Sequence, residues 1–205
     1  MDSPALITAF VTLFVIIDPI GLMPLFVALT QGVPAHKRRA IALRACITAF
    51  SVLALFAFLG EAVLGFVGIS MPAFRIAGGA LLFLTALDML FERRTKRRED
   101  RAEEDEHPDP SVFPLAIPLI AGPGSIATVI LLAGQHPGLS ATFLVLGVAL
   151  AVLGVVLGFF LLAGPFERIL GRTGITVVTR LLGMLLAALA VQFILEGLRD
   201  FGFAG

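Results

Sequence analysis

The sequence predicts an all-α, polytopic membrane protein: six transmembrane helices, arranged as two inverted three-helix repeats, with helices one and four broken. Three observations carry that expectation. The first is composition: of 205 residues, 58% are hydrophobic and 15% charged, and the mean hydropathy is +1.00, far more apolar surface than a soluble core of this size needs. The second is a set of six apolar runs, each long enough to cross about 30 Å of hydrocarbon. The third is a pair of helix-breaking clusters, Asp18-Pro19-Ile20-Gly21 and Gly122-Pro123-Gly124-Ser125, set 104 residues apart in the middle of the first and fourth runs.

The runs lie at about residues 5–30, 40–65, 71–91, 113–134, 140–165 and 175–197. The start, Met1-Asp2-Ser3-Pro4, has no basic region and no small-residue cleavage site after it, so the first run is expected to be a retained span. Twelve of the 15 Lys and Arg fall in or beside the loops after runs one, three and five: Lys37, Arg38, Arg39, Arg44; Arg93, Arg94, Lys96, Arg97, Arg98, Arg101; Arg168 and Arg172. The opposite side keeps only Arg199. By the positive-inside rule those loops are cytoplasmic, and both termini face outward. The chain then divides into a first repeat (1–92), a charged cytoplasmic linker (93–111) and a second repeat (112–205).

Several features come into register when the halves are overlaid with an offset of 104 to 106: Pro19 on Pro123, Gln31 on Gln135, Gly60 on Gly164, Arg75 on Arg180 and Gly78 on Gly183. Three spans per half is an odd number, so the second half enters the bilayer from the opposite face. Paired breaks in inverted repeats are where secondary transporters hold substrate near the midplane.

The chemistry of the two breaks differs. Pro19 and Pro123 lack an amide proton and clash with the preceding turn, while Gly21, Gly122 and Gly124 let the chain open. Pro24 and Pro118 lie nearby, where a plain kink is an equal reading. Half-helices starting after Pro19 and after Pro123 point free amides and positive dipole ends at a shared cavity from opposite directions, which suits a carboxylate. Gly124 and Ser125 add close backbone approach and a hydroxyl. Asp18 adds a negative charge for an ammonium group, a sodium ion or a proton, and it also suits the N-cap of the half-helix that follows.

Arg75 and Arg180 sit about a turn inside opposite mouths. Glu61 lies on the side of Arg75 and Glu167 on the side of Arg180, so Glu61–Arg75 and Glu167–Arg180 pairs that break alternately are expected to gate the cavity; two snorkelling arginines are the plainer alternative. In run five, Gly147, Ala151, Gly154 and Gly158 form a small-residue face, for which close packing inside one protomer is expected rather than a dimer seam. His36, His107 and His136 fall in predicted loops without metal-ligand spacing, and the single Cys46 allows no internal disulfide. No metal, no cofactor beyond a coupling ion and no nucleic-acid partner is expected.

The stretches Asp18-Pro-Ile-Gly-Leu-Met-Pro-Leu-Phe26, Ala73-Phe-Arg-Ile-Ala-Gly-Gly-Ala80 and Phe113-Pro-Leu-Ala-Ile-Pro-Leu-Ile-Ala-Gly-Pro-Gly-Ser-Ile126 resemble those of the MarC family of six-helix bacterial membrane proteins. The resemblance covers nearly the whole chain apart from residues 92–110. It implies a carrier or exporter of small neutral amino acids such as glycine, alanine and threonine. Alternating access driven by a proton or sodium gradient is therefore the leading expectation, ahead of a passive channel or a membrane assembly factor. An intramembrane enzyme is disfavoured, since no Ser-His, metal or paired-carboxylate set accompanies Asp18 and Asp88.

Overall fold

The computed structural model describes residues 3–91, 109–135 and 138–203, without the side chains of 164–170 and 172. The described elements are all helical: α1 (Ser3–Ile17), α2 (Pro19–Leu29), α3 (Ala35–Val67), α4 (Met71–Leu90), α5 (Ser111–Ile120), α6 (Pro123–Gly134), α7 (Leu139–Leu161) and α8 (Ala163–Phe201). α1 and α2 together form one apolar stretch of 27 residues, and α3, α4, α7 and the part of α8 from Thr173 onward each suffice to cross a membrane. The pair α5–α6, bent by 56°, is apolar and long enough to count as a sixth, with the geometry of a broken span or a re-entrant loop. Large apolar side chains point away from the protein over much of its surface, among them Phe66 (93% exposed), Leu139 (70%) and Leu84 (61%). Hydrocarbon is the medium that accepts such a surface.

The two breaks form where proline chemistry puts them and are built differently. At the first, Asp18 is the only residue between α1 and α2, and the helix direction largely continues. At the second, the whole of α5 is loosened. Phe113 (φ −127°, ψ 128°) and Ile117 (φ −124°, ψ 123°) are extended because each precedes a proline, whose ring excludes the helical conformation of its neighbour. Between them the chain winds widely, with the amides of Leu115 and Ala121 donating five residues back to Pro110 and Ala116 at 3.2 and 2.8 Å. Pro24, by contrast, is absorbed inside α2 without ending it.

The frame that holds the breaks is the antiparallel pair α4–α8. Gly197 lies against Pro72, Gly79 against Ala190 and Gly183 against Ala86, each contact seven residues from the next on both helices. A Cβ on these glycines would stand 3.0, 2.8 and 3.2 Å from the facing carbonyl oxygens, too close for Gly79 and tighter than most real side-chain contacts for Gly197 and Gly183. Glycine on alternating sides is therefore what lets the two backbones approach. α3 and α4 are joined tightly by Gly68 (φ 83°) and by Ser70, whose hydroxyl accepts from the Ala73 amide.

At one end of the bundle Phe26 of α2 stacks on Phe160 of α7 with ring centroids 4.3 Å apart, and the Arg38 guanidinium stands 5.3 Å above the Phe26 ring. Arg44 meets Asp109 at 2.7 Å at that same end, tying α3 to the entry of α5. The other end gathers Glu61, Met71, Arg75, Gly134 and Asp200.

Three expectations change. The small face of α7 is not packed inside the protomer: Gly147, Gly154 and Gly158 have nothing within 4 Å of a built Cβ. The buried face is instead Val145, Ala149, Val152 and Val156, where larger side chains fill the space against α1 and α3. The loop expected between the last two spans is helical, because α8 begins at Ala163 and bends only at Gly171 (φ 62°). His36 lies in the first turn of α3, not in a loop, while His107 and His136 fall outside the described residues. The 93–111 linker is described only from Asp109 onward.

Gly79→Val is expected to lower stability by about 1–3 kcal/mol through overpacking against Ala190 and Ile194. Gly154→Ala, into open space, should leave the thermal midpoint in detergent unchanged or slightly higher. Equal loss in both variants would contradict the packing described for α4–α8.

Candidate functional site

Asp18 is 1% exposed and, among the described residues, is the only non-glycine with positive φ (58°, ψ 65°). Left-handed backbone is a strained choice for most side chains but open to Asp and Asn, whose short polar groups bond locally. Asp18 does so: its Oδ1 accepts the Gly21 amide at 3.0 Å, capping α2. Its own amide donates to Phe14 and its carbonyl accepts from Leu22, so the chain re-enters helix on both sides. Gly21 is needed because the carboxylate lies over it; a Cβ there would stand 2.1 Å from Oδ2. Pro19 supplies the first helical residue, with no amide to satisfy, and Ile20 is half-buried beside it.

At the second break Gly122 is extended (φ −86°, ψ 173°) and α6 begins at Pro123, with no side chain capping it. Gly122 lies so close to the Pro118 carbonyl that a Cβ would be 2.4 Å from its oxygen. Ser125 is 3% exposed and donates its hydroxyl back to the Ile120 carbonyl at 2.8 Å, across the bend. Each break is thus stitched by one short side chain, Asp18 through an amide and Ser125 through a carbonyl.

The fold brings the breaks together. Gly124 packs on Ile16, two residues before Asp18, with a built Cβ 2.7 Å from Ile16 Cδ1. Asp18, Gly122 and Ser125 are buried in this conformation, Gly21 and Gly124 half-buried and Pro123 exposed. Pro123 lines an apolar groove of about 410 Å³ walled by α3, α4 and α6, with Phe74, Gly78 and Ile126 among its lining. One residue missed by sequence reasoning is Thr128, one turn along α6 from Gly124. It is 0% exposed, and its hydroxyl has no hydrogen-bond partner among the described residues. A threonine in an apolar run carries little signal by itself; its i+4 spacing from Gly124 was the available clue.

Arg75 is paired otherwise than expected. Arg75, 8% exposed, forms its ion pair with Asp200 near the end of α8, not with Glu61. The reason is the α4–α8 frame, which carries the last turn of α8 up beside the first turns of α4. Arg199 also leans on Asp200, at 3.7 Å. Glu61 stays exposed and lines a separate cavity of about 270 Å³ with Phe58, Ile130, Gly134 and Thr142. The side chain of Glu167 lies outside the described residues, so the expected inner pair with the exposed Arg180 does too.

The sequence profile of the MarC family of integral membrane proteins matches residues 3–201. The chain belongs to the MarC family. Among its relatives, a membrane protein of Methanocaldococcus jannaschii is 40% identical over 97% of this chain and 98% of that protein. The membrane protein YvbG of Bacillus subtilis is 37% identical over 95% and 94%, and the inner membrane protein YhgN of Escherichia coli 36% identical over 95% and 96%. No solved structure matches. This MarC member is therefore an integral membrane protein whose two prolines of the paired motifs begin α2 and α6.

Gly21→Ala is expected to displace the Asp18 cap and lower stability by about 0.5–2 kcal/mol, whereas Asp18→Asn, which keeps the acceptor and tolerates positive φ, should stay near the parent. Asp200→Asn should cost about 1–3 kcal/mol by weakening the bond to buried Arg75. Thermal unfolding in detergent reads both; an Asp200→Asn midpoint equal to the parent would contradict the pairing.

Proposed function

We propose that this MarC protein is a secondary transporter of small neutral amino acids such as glycine, alanine or threonine. It works by alternating access at the two helix breaks, in the exporting direction, and is driven by a proton or sodium gradient. The observation that carries this reading is the packing of two unlike breaks: Gly124, at the uncapped start of α6, lies on Ile16, two residues before the buried Asp18. A carboxylate can hold an ammonium group or a coupling cation. The open amides of Gly124 and Ser125, at the positive end of the α6 dipole, suit a carboxylate. One site with these two poles matches an amino-acid zwitterion.

The remaining parts follow. The two halves act as inverted repeats about the α4–α8 pair, with the Arg38 end cytoplasmic, both termini outside and the bacterial inner membrane as location, as the name of the Escherichia coli relative has for that protein. Arg75 and Asp200 close the outer end, with Glu61 beside them in the outer cavity. Phe26 and Phe160, with Arg38 over Phe26, seal the inner end. Opening either mouth separates its closing groups.

Counterflow of labelled glycine, alanine or threonine into proteoliposomes tests the proposal, with saturable exchange expected. Asp18→Ala and Ser125→Ala are each expected to reduce it at least tenfold. Full activity in both variants would overturn the site, and absence of flux with every neutral amino acid would overturn the function.

A further inference from the structure

Among the described residues three buried hydroxyls, those of Ser111, Thr128 and Thr179, have no hydrogen-bond partner, and Thr128 is the one on α6, the helix that starts at the second break. Thr128 is 0% exposed on a helix of the bent apolar pair α5–α6, and among the described residues its oxygen has no hydrogen-bond partner. Most threonines in such helices satisfy themselves by donating to the carbonyl four residues back, as Thr12 does to Thr8 at 2.7 Å and Thr30 to Phe26 at 2.6 Å. Thr128 does not, although the Gly124 carbonyl is the one in that position. A buried donor left unsatisfied destabilises the fold, and native interiors keep few of them without a reason.

Position supplies the reason. Thr128 follows Gly124 by four residues, so both lie on the same face of α6, and helical side chains lean toward the N-terminus of their helix. The Thr128 side chain therefore tilts back over the uncapped first turn, where Pro123 has no amide and those of Gly124 and Ser125 open the helix. Gly124 itself packs on Ile16 beside the first break. Ser125 is committed to Ile120, leaving Thr128 as the hydroxyl available at that turn.

We infer that Thr128 is a ligand-binding residue: its hydroxyl donates to the carboxylate that the start of α6 receives. The inference rests on the transporter reading for the identity of the full substrate, but the group it recognises is the carboxylate alone. It separates Thr128 from Ser125 by sign. Ser125→Ala removes a bond already made, so it lowers stability without ligand. Thr128→Val replaces an unsatisfied hydroxyl by a methyl group of the same shape, so stability without ligand rises while binding falls.

The test uses the full chain purified in detergent, with thermal unfolding read without ligand and binding read by titration with glycine, alanine and sodium acetate. Thr128→Val is expected to raise the ligand-free midpoint by about 2–4 °C and to weaken carboxylate binding at least tenfold, about 1.4 kcal/mol. Thr128→Ser, which keeps the hydroxyl, should bind within about threefold of the parent. A lower ligand-free midpoint in Thr128→Val, or parental affinity in that variant, would overturn the inference, as would a parent protein that binds none of the three. Acetate binding that is lost in Thr128→Val, with no binding of either amino acid, would overturn the amino-acid reading and uphold the carboxylate site.

Discussion

Backbone amides and carbonyls cannot be left bare in hydrocarbon, and that single constraint shapes everything notable in this chain. Two spans are interrupted, and each interruption is answered by an adjacent side chain. Asp18 caps α2 from a left-handed backbone, and Ser125 reaches across a 56° bend to Ile120. Gly21 and Gly122 are required because the carboxylate and the Pro118 carbonyl occupy the space a Cβ would take. The breaks are buried between helices because only there is irregular backbone tolerated at membrane depth.

The rest of the fold serves to keep them there. The glycine-stepped contact of α4 with α8 holds the third and last spans of the bundle face to face, and it delivers Asp200 to Arg75 at one end. At the other end the Phe26–Phe160 stack fixes the tail of α2. The tail of α2 is thus fixed on α7, and the entry of α5 on α3 through Arg44 and Asp109.

Much of this was legible in the sequence because proline and glycine act through local geometry. Pro19 and Pro123 mark the first residues of α2 and α6, and six apolar runs become five spans and a bent pair. What was not legible depended on packing between distant residues. Arg75 has two acidic candidates at its end of the bundle, and only the register of α4 against α8 selects Asp200 over Glu61. The glycines of α7 look like an internal seam in sequence, yet the opposite face, richer in valine, wins the core. Thr128 reads as an ordinary apolar-run threonine until its missing partner is seen. The short break at Asp18 and the long loosened α5 also look alike in sequence; two residues forced extended ahead of prolines make the difference.

The central claim is that the first turn of α6 receives the carboxylate of a small amino acid beside Asp18. Solid-state NMR of the protein in lipid, with ¹³C-carboxyl glycine bound and ¹⁵N at the amides of Gly124 and Ser125, measures that contact directly. The account predicts dipolar coupling from the glycine carboxylate to at least one of these amides, lost when excess unlabelled alanine is added. Bound glycine with no coupling to either amide would contradict it.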